Sequence, residues 1–224
     1  MNRNTILSFL CVAMMVSCGK ENAETTNPDA LKDKAIAMAE NAVELKESPI
    51  IGTIPSIYAQ RKAALDSVSK MAKQSFQVIN PQSKEEIEKA VAEAERINMA
   101  AGAAKSAIKA HYDSKLQETG KPFIGKEFKS QFDKSQYSAA SVKITKFEGA
   151  TCYAEARLTL SAPLDKIRCV AYRFLDEHGN TVSNGANYNL SDDGNYKAGS
   201  QINMQISAAL PSMRKIASVR FVKY

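Results

Sequence analysis

Cys152-Tyr153-Ala154-Glu155-Ala156-Arg157-Leu158-Thr159-Leu160 alternates small or apolar residues with polar ones along its length. A period of two belongs to a strand with one buried face, so the second half of the chain reads as β-structure. Ala162-Pro163-Leu164-Asp165 reads as the connection to the next strand, where Val170, Tyr172 and Phe174 share a face and Arg168, Ala171 and Arg173 lie between them. Asp176-Glu177-His178-Gly179-Asn180 reads as a hairpin turn, its glycine suited to positive φ. Further strands are expected at 181–190, at 202–208 with Ile202, Met204 and Ile206 inward, and at 216–222 with Val219 and Phe221 inward. With 142–147 this gives about six short strands separated by turns, an antiparallel β-sandwich of immunoglobulin-like kind over residues 141–224.

Upstream the period changes. Leu31, Ala35, Met38, Ala42 and Leu45 are spaced 4-3-4-3, one face of a helix, with Asn27 placed to cap it and Pro28 suited to its first turn. A second helix starts around Thr53-Ile54-Pro55 and carries Ile57, Ala64, Leu65, Val68, Met71 and Ala72 before Asn80-Pro81. The third opens on a capping box, Ser83 with Glu86. Its seam runs Ile87, Ala90, Ala94, Ile97, Ala101, Ala104, Ile108 and His111, and the helix is expected to fade between Asp113 and Gly120. Three such helices with short loops suggest an antiparallel bundle over residues 28–120. The fold class is therefore α+β. His111 on the seam reads as a partly buried helix-end residue rather than a ligand.

Residues 121–140 break the helical pattern and read as a linker. Phe123, Phe128, Phe132 and Tyr137 fall in or near it among lysines; the span 121–146 has 6 Lys/Arg against 2 Asp/Glu. Aromatic rings among basic groups suit an anionic membrane or glycan surface. More often such rings form a wedge that packs one domain on the next while the lysines stay solvated.

The 224 residues, 44% hydrophobic and 24% charged, exclude a polytopic membrane protein, a collagen-like chain and a wholly disordered one. At the N-terminus Arg3 precedes an apolar run of 11 residues, Ile6 to Val16. As a helix that run reaches about 16 Å, half of a hydrocarbon layer of about 30 Å, so it reads as a secretory leader. No later stretch approaches 18 apolar residues, and a leader is the chain's expected route out of the cytoplasm.

The junction Met15-Val16-Ser17-Cys18 resembles the lipobox of bacterial lipoproteins. The family pattern prefers Leu where Met15 stands; Val16, Ser17 and Cys18 fit it. The resemblance implies that residues 1–17 are removed as a signal peptide and that Cys18 is acylated on its sulfur and its new amino group. More than one acyl chain anchors a protein stably in a bilayer. Gly19 is not the aspartate that retains such proteins at the inner membrane of enteric bacteria, which favours the outer membrane. Lys20, Glu21 and Glu24 behind Cys18 resemble the export signal of Bacteroidota-type surface lipoproteins, with periplasmic and surface orientations both open. Residues 18–27 are small and polar and read as a flexible tether.

A second resemblance lies in Tyr172-Arg173-Phe174-Leu175-Asp176 followed by Gly179, which looks like the FxLYD domain of bacterial envelope proteins. It covers Thr151 to Val222 and implies a β-sandwich accessory module without known catalysis. Here Tyr stands for the first Phe, Phe for Leu and Leu for Tyr, and Ala198-Gly199 replaces Pro-Gly. Cys152 and Cys169 would meet an oxidising compartment; the alternation puts Cys152 inward and Cys169 opposite Val170, so both a disulfide and two separate thiols stay open.

Four cysteines without a CxxC pair and two histidines carry no metal-site pattern, and there is no P-loop, GxSxG, HExxH or GxGxxG. Asp192-Asp193-Gly194-Asn195 lacks the closing glutamate of an EF-hand loop and reads as a turn. No catalytic residue, cofactor or metal ligand is expected, and Cys18 is the one site residue, for lipidation. The function expected is a non-catalytic, membrane-anchored envelope lipoprotein. It meets the bilayer through Cys18 and binds a protein or glycan partner, and an exported chain gives no reason to expect nucleic acid. The rival readings are a self-associating structural spacer in the periplasm and, last, a hydrolase with an unrecognised site.

Overall fold

Asn27 opens the described helical part as a cap: its Oδ1 accepts the backbone N–H groups of Asp29 at 3.0 Å and Ala30 at 3.3 Å. That satisfies two donors the first helical turn leaves free. The computed structural model describes residues 25–77, 83–164, 169–187 and 196–223. Cys18, the leader, the tether up to residue 24, Asn80-Pro81 and the Asp192–Asn195 turn lie outside the described residues.

Helices come first: α1 (Pro28–Ala42), α2 (Ile54–Gln77) and α3 (Lys84–Gly120). After a 3-10 turn at Lys121–Phe123 come β1 (Ser130–Phe132), β2 (Tyr137–Glu148), β3 (Thr151–Leu160), β4 (Val170–Leu175) and β5 (Thr181–Asn187). Then follow β6 (Gln201–Ala209), the one-turn helix α4 (Leu210–Met213) and β7 (Ser218–Val222). The class is mixed α+β: helices followed by two sheets in which antiparallel pairs dominate. No helix among the described residues is long and apolar enough to cross a membrane.

Two compact units divide the chain, and the division cuts across the helices. One takes residues 25–42 and 61–110. Its buried positions are small: Leu31, Ala35 and Ala39 on α1, Ala64, Val68 and Ala72 on α2, and Ile97, Ala100, Ala101, Ala104 and Ile108 on α3. The seams differ from the sequence expectation at their ends. Met38 on α1 and Leu45 beyond its end are each 46% exposed and Ala39 is buried, because a 4-4 step from Leu31 keeps one line on a helix that stops at Ala42. On α3 Ile87 and Val91 are exposed, so the seam begins only at Ile97.

The other unit takes residues 43–60 and everything from 111. The segment 43–53 is laced to the start of α2. Ser56 Oγ accepts Lys46 N–H and donates to Lys46 O, both at 3.0 Å, and Gln60 Nε2 donates to Val43 O at 2.9 Å. Tyr112 and Leu116 on α3 are buried while His111 is exposed, correcting its placement on the seam. From Ile108 the buried line steps four residues, not three, and lands on the larger ring.

The sheets have the orders β1-β7-β4-β5 and β2-β3-β6. The β2–β3 and β4–β5 hairpins lie in different sheets, and β6 and β7 return beside the first hairpin and the second. The inner faces meet through Tyr137 of β2 and Phe221 of β7, ring centroids 6.4 Å apart and 66° inclined. Inward residues alternate cleanly: Cys152, Ala154, Ala156, Leu158 and Leu160 on β3, and Ile202, Met204, Ile206 and Ala208 on β6, are buried.

One pairing departs from the antiparallel expectation. The span 121–140, where the sequence suggests a linker, holds an edge segment that switches sheets. Gly125 N–H donates to Ile144 O and Phe128 N–H to Val142 O, antiparallel along β2; the next residues form β1, parallel to β7. The period was too short to read there, since each sheet holds the segment for only three or four residues.

Candidate functional site

A cleft of the β-containing unit, about 470 Å³, opens between the β4–β5 turn, the turn after α4 and Glu47-Ser48-Pro49. The β4–β5 turn is built around Asp176. Its Oδ1 accepts the N–H groups of His178 at 2.9 Å and Asn180 at 2.8 Å, and its Oδ2 accepts Asn180 Nδ2 at 3.1 Å. Those bonds, the Asn180 side chain first, hold its carboxyl below the usual carboxylate range. Gly179 takes φ +82° to close the turn. Asp176 is thus committed to structure. Glu47, Glu177, His178, Arg214 and Lys215 supply both charge signs, all exposed to water. Such groups take a polar ligand through solvated contacts of low individual worth, and the cleft holds no nucleophile paired with a base.

A second surface is the outer face of the three-stranded sheet. The register sets Lys143, Glu155 and Gln205 in one row, Ser141, Arg157 and Asn203 in the next, and Lys146, Tyr153 and Ser207 in a third. Arg157 Nε donates to Asn203 Oδ1 at 3.2 Å. Lys146 Nζ stands 4.8 Å above the Tyr153 ring and 2.6 Å from Glu148. A flat face with one ring among amides and charges can stack and hydrogen-bond without enclosing a ligand.

The aromatic span takes its place in packing. The ring of Phe123 lies against Gly52, where a Cβ would come within 3.0 Å of Cζ, and Gly52 has φ +55°. Phe128 and Phe132 are half-buried, Tyr137 is buried, and Lys121, Lys126, Lys129 and Lys134 point to water. Burial pushes the Tyr137 hydroxyl up to about 12. Cys152 and Cys169 are both free and both buried. Cys169 precedes β4 in irregular backbone, so the alternation that put it opposite Val170 does not apply. Burial pushes the Cys152 thiol up to about 12, the opposite of what a reactive cysteine needs.

His111 and His178 lie on exposed positions, and no group of three or more His, Cys, Asp or Glu among the described residues could hold a metal ion. The sequence reading passed over Gly185 and the odd-numbered residues of β6. Their signals were there: a glycine inside a strand, and a nine-residue strand without a charge. No protein family, curated protein or solved structure matches this chain.

Proposed function

We propose that the chain is a non-catalytic lipoprotein of the outer membrane, tethered through acylated Cys18, whose β-containing part binds a protein or glycan partner. The single observation carrying this reading is the leader: Arg3, the run Ile6 to Val16, and Val16-Ser17-Cys18 at its end. The small, polar composition of residues 19–27, directly behind that cysteine, supports it.

The finer fold reading belongs here too. Three helices with apolar faces support a bundle. Two hairpins in opposite sheets, each flanked by a returning strand, support an immunoglobulin-like sandwich of FxLYD kind. The Tyr153–Arg157–Asn203 face supports binding without chemistry, because its groups are solvated and lie on a plane. A lipid-anchored, exported chain gives the basic excess no nucleic acid to meet.

Palmitate labelling of cells expressing the wild-type chain and Cys18→Ser tests the reading. Label in the wild-type band and none in the variant, with the variant leaving the membrane fraction, is the expected result. An unlabelled wild-type band overturns it.

A further inference from the structure

The hydrogen bonds at the two ends of the β3–β6 ladder fix which way β6 faces. Leu160 N–H donates to Ser200 O at 3.0 Å and Leu210 N–H to Ala150 O at 2.7 Å. Between these points the two strands pair without a register shift. Bonded and non-bonded pairs alternate along an antiparallel ladder, so the even-numbered residues of β6 bond β3. Gln201, Asn203, Gln205 and Ser207 therefore turn their N–H and C=O groups away from β3. β6 ends its sheet among the described residues, and the side chains of these four are exposed. The Tyr172 hydroxyl comes within hydrogen-bonding reach of the Ser207 backbone, in keeping with that orientation.

The other edges are blunted in the ways edge strands usually are. β1 has three residues and lies between Lys129 and Lys134. The free side of β2 is taken by the segment around Lys126 and Phe128, and β5 contains Gly185 and a register shift opposite Phe174/Leu175. β6 has nine residues and no charge, proline, glycine or bulge. A long, regular, uncharged edge is a template for another strand.

We propose that β6 pairs with β6 of a second copy of this chain, antiparallel about a two-fold axis at Asn203, joining two three-stranded sheets into one. The absence of charge selects this occupant. A two-fold contact sets each residue against its own kind or a near neighbour, so a charge beside the axis would meet its like. A foreign strand would tolerate charges on β6 and be chosen by them. Centred on Asn203, Gln201 faces Gln205 of the second copy, Ile202 faces Met204, and Ser207 stays within reach of Tyr172. Arg157 and its mate stand three strand spacings apart, about 14 Å, beyond the screening length of about 10 Å at 0.1 M salt. The pairing rests on backbone geometry and is independent of the anchor at Cys18.

The full chain in detergent, examined by sedimentation and by cysteine cross-linking in cells, tests it. Asn203 and its mate would form a bonded pair with Cα atoms about 5.5 Å apart, within disulfide reach. Asn203→Cys should cross-link to a dimer on a non-reducing gel, and Glu155→Cys, one strand inward on the same face, should not. Asn203→Lys should weaken dimerisation by about tenfold or more with an unchanged circular dichroism spectrum. Asn203→Pro should do the same, since that N–H serves only the second copy. A wild-type chain that stays monomeric at every concentration overturns the proposal. So does a dimer indifferent to Asn203→Lys and Asn203→Pro, or an Asn203→Cys adduct to a different protein.

Discussion

Gly185 on β5 stands opposite Tyr172 on β4, and the Tyr172 ring occupies the space a Gly185 side chain would need. A Cβ there would lie 2.9 Å from Tyr172 Cε2 and closer still to Cζ and Oη. The ring crosses the edge strand and its hydroxyl reaches the Ser207 backbone in the other sheet. Gly185→Ala should therefore destabilise the fold by about 1–3 kcal/mol through overpacking. The same change in a Tyr172→Ala background should cost far less. Chemical denaturation of the four chains of that double-mutant cycle gives the coupling; additive costs would mean the ring moves aside freely.

What the sequence disclosed follows from how locally each feature is coded. Ser83 and Glu86 cap α3 reciprocally, at 3.1 and 3.2 Å, because three residues suffice to specify a capping box. The inward sets of β3, β4, β6 and β7 were legible because each strand buries one face for its whole length. The sheet-switching segment before β2 was not, because its partners lie in two different sheets and neither holds it for a full period. The choice between His111 and Tyr112 turned on a single residue of helical phase, which periodicity alone cannot resolve at a helix end. The exposed Ile87 misled for the opposite reason: an apolar residue at the right spacing need not be buried.

The phase of α3 can be measured directly. Tyr112 is fully buried, and Tyr112→Ala should cost about 3–5 kcal/mol, as large ring deletions do. His111→Ala should fall within about 0.5 kcal/mol of wild type, as exposed substitutions do. Thermal melts of the two variants decide between the phases; the reverse order would restore the seam through His111.

Cys152 and Cys169 should stay unmodified when the native chain meets iodoacetamide at pH 8, because both are buried and burial pushes the Cys152 thiol up to about 12. Unfolding should make both react, as peptide mapping of the Cys152 and Cys169 peptides would show. A mass two protons short across the Cys152 and Cys169 peptides would show a bridge instead. The raised thiol also sets a sign: stability from a neutral Cys152 is whole below about pH 9 and is lost as pH rises toward about 12.

Asp176 works in the acidic direction. Its carboxyl is lowered by the Asn180 side chain, then by the backbone N–H groups of Asn180 and His178. A depressed carboxylate contributes stability that is present above its unfolded value, about 3.9, and is lost as pH falls through the folded one. Asp176→Asn keeps an oxygen for the His178 and Asn180 N–H groups but removes the charge and, with it, the second oxygen that accepts Asn180 Nδ2. The melting temperature of the wild type should exceed that of Asp176→Asn at neutral pH, and the gap should close as pH drops below about 4. A gap that holds constant from pH 7 to pH 2 would mean that geometry alone, and not the ionised carboxylate, secures the β4–β5 turn.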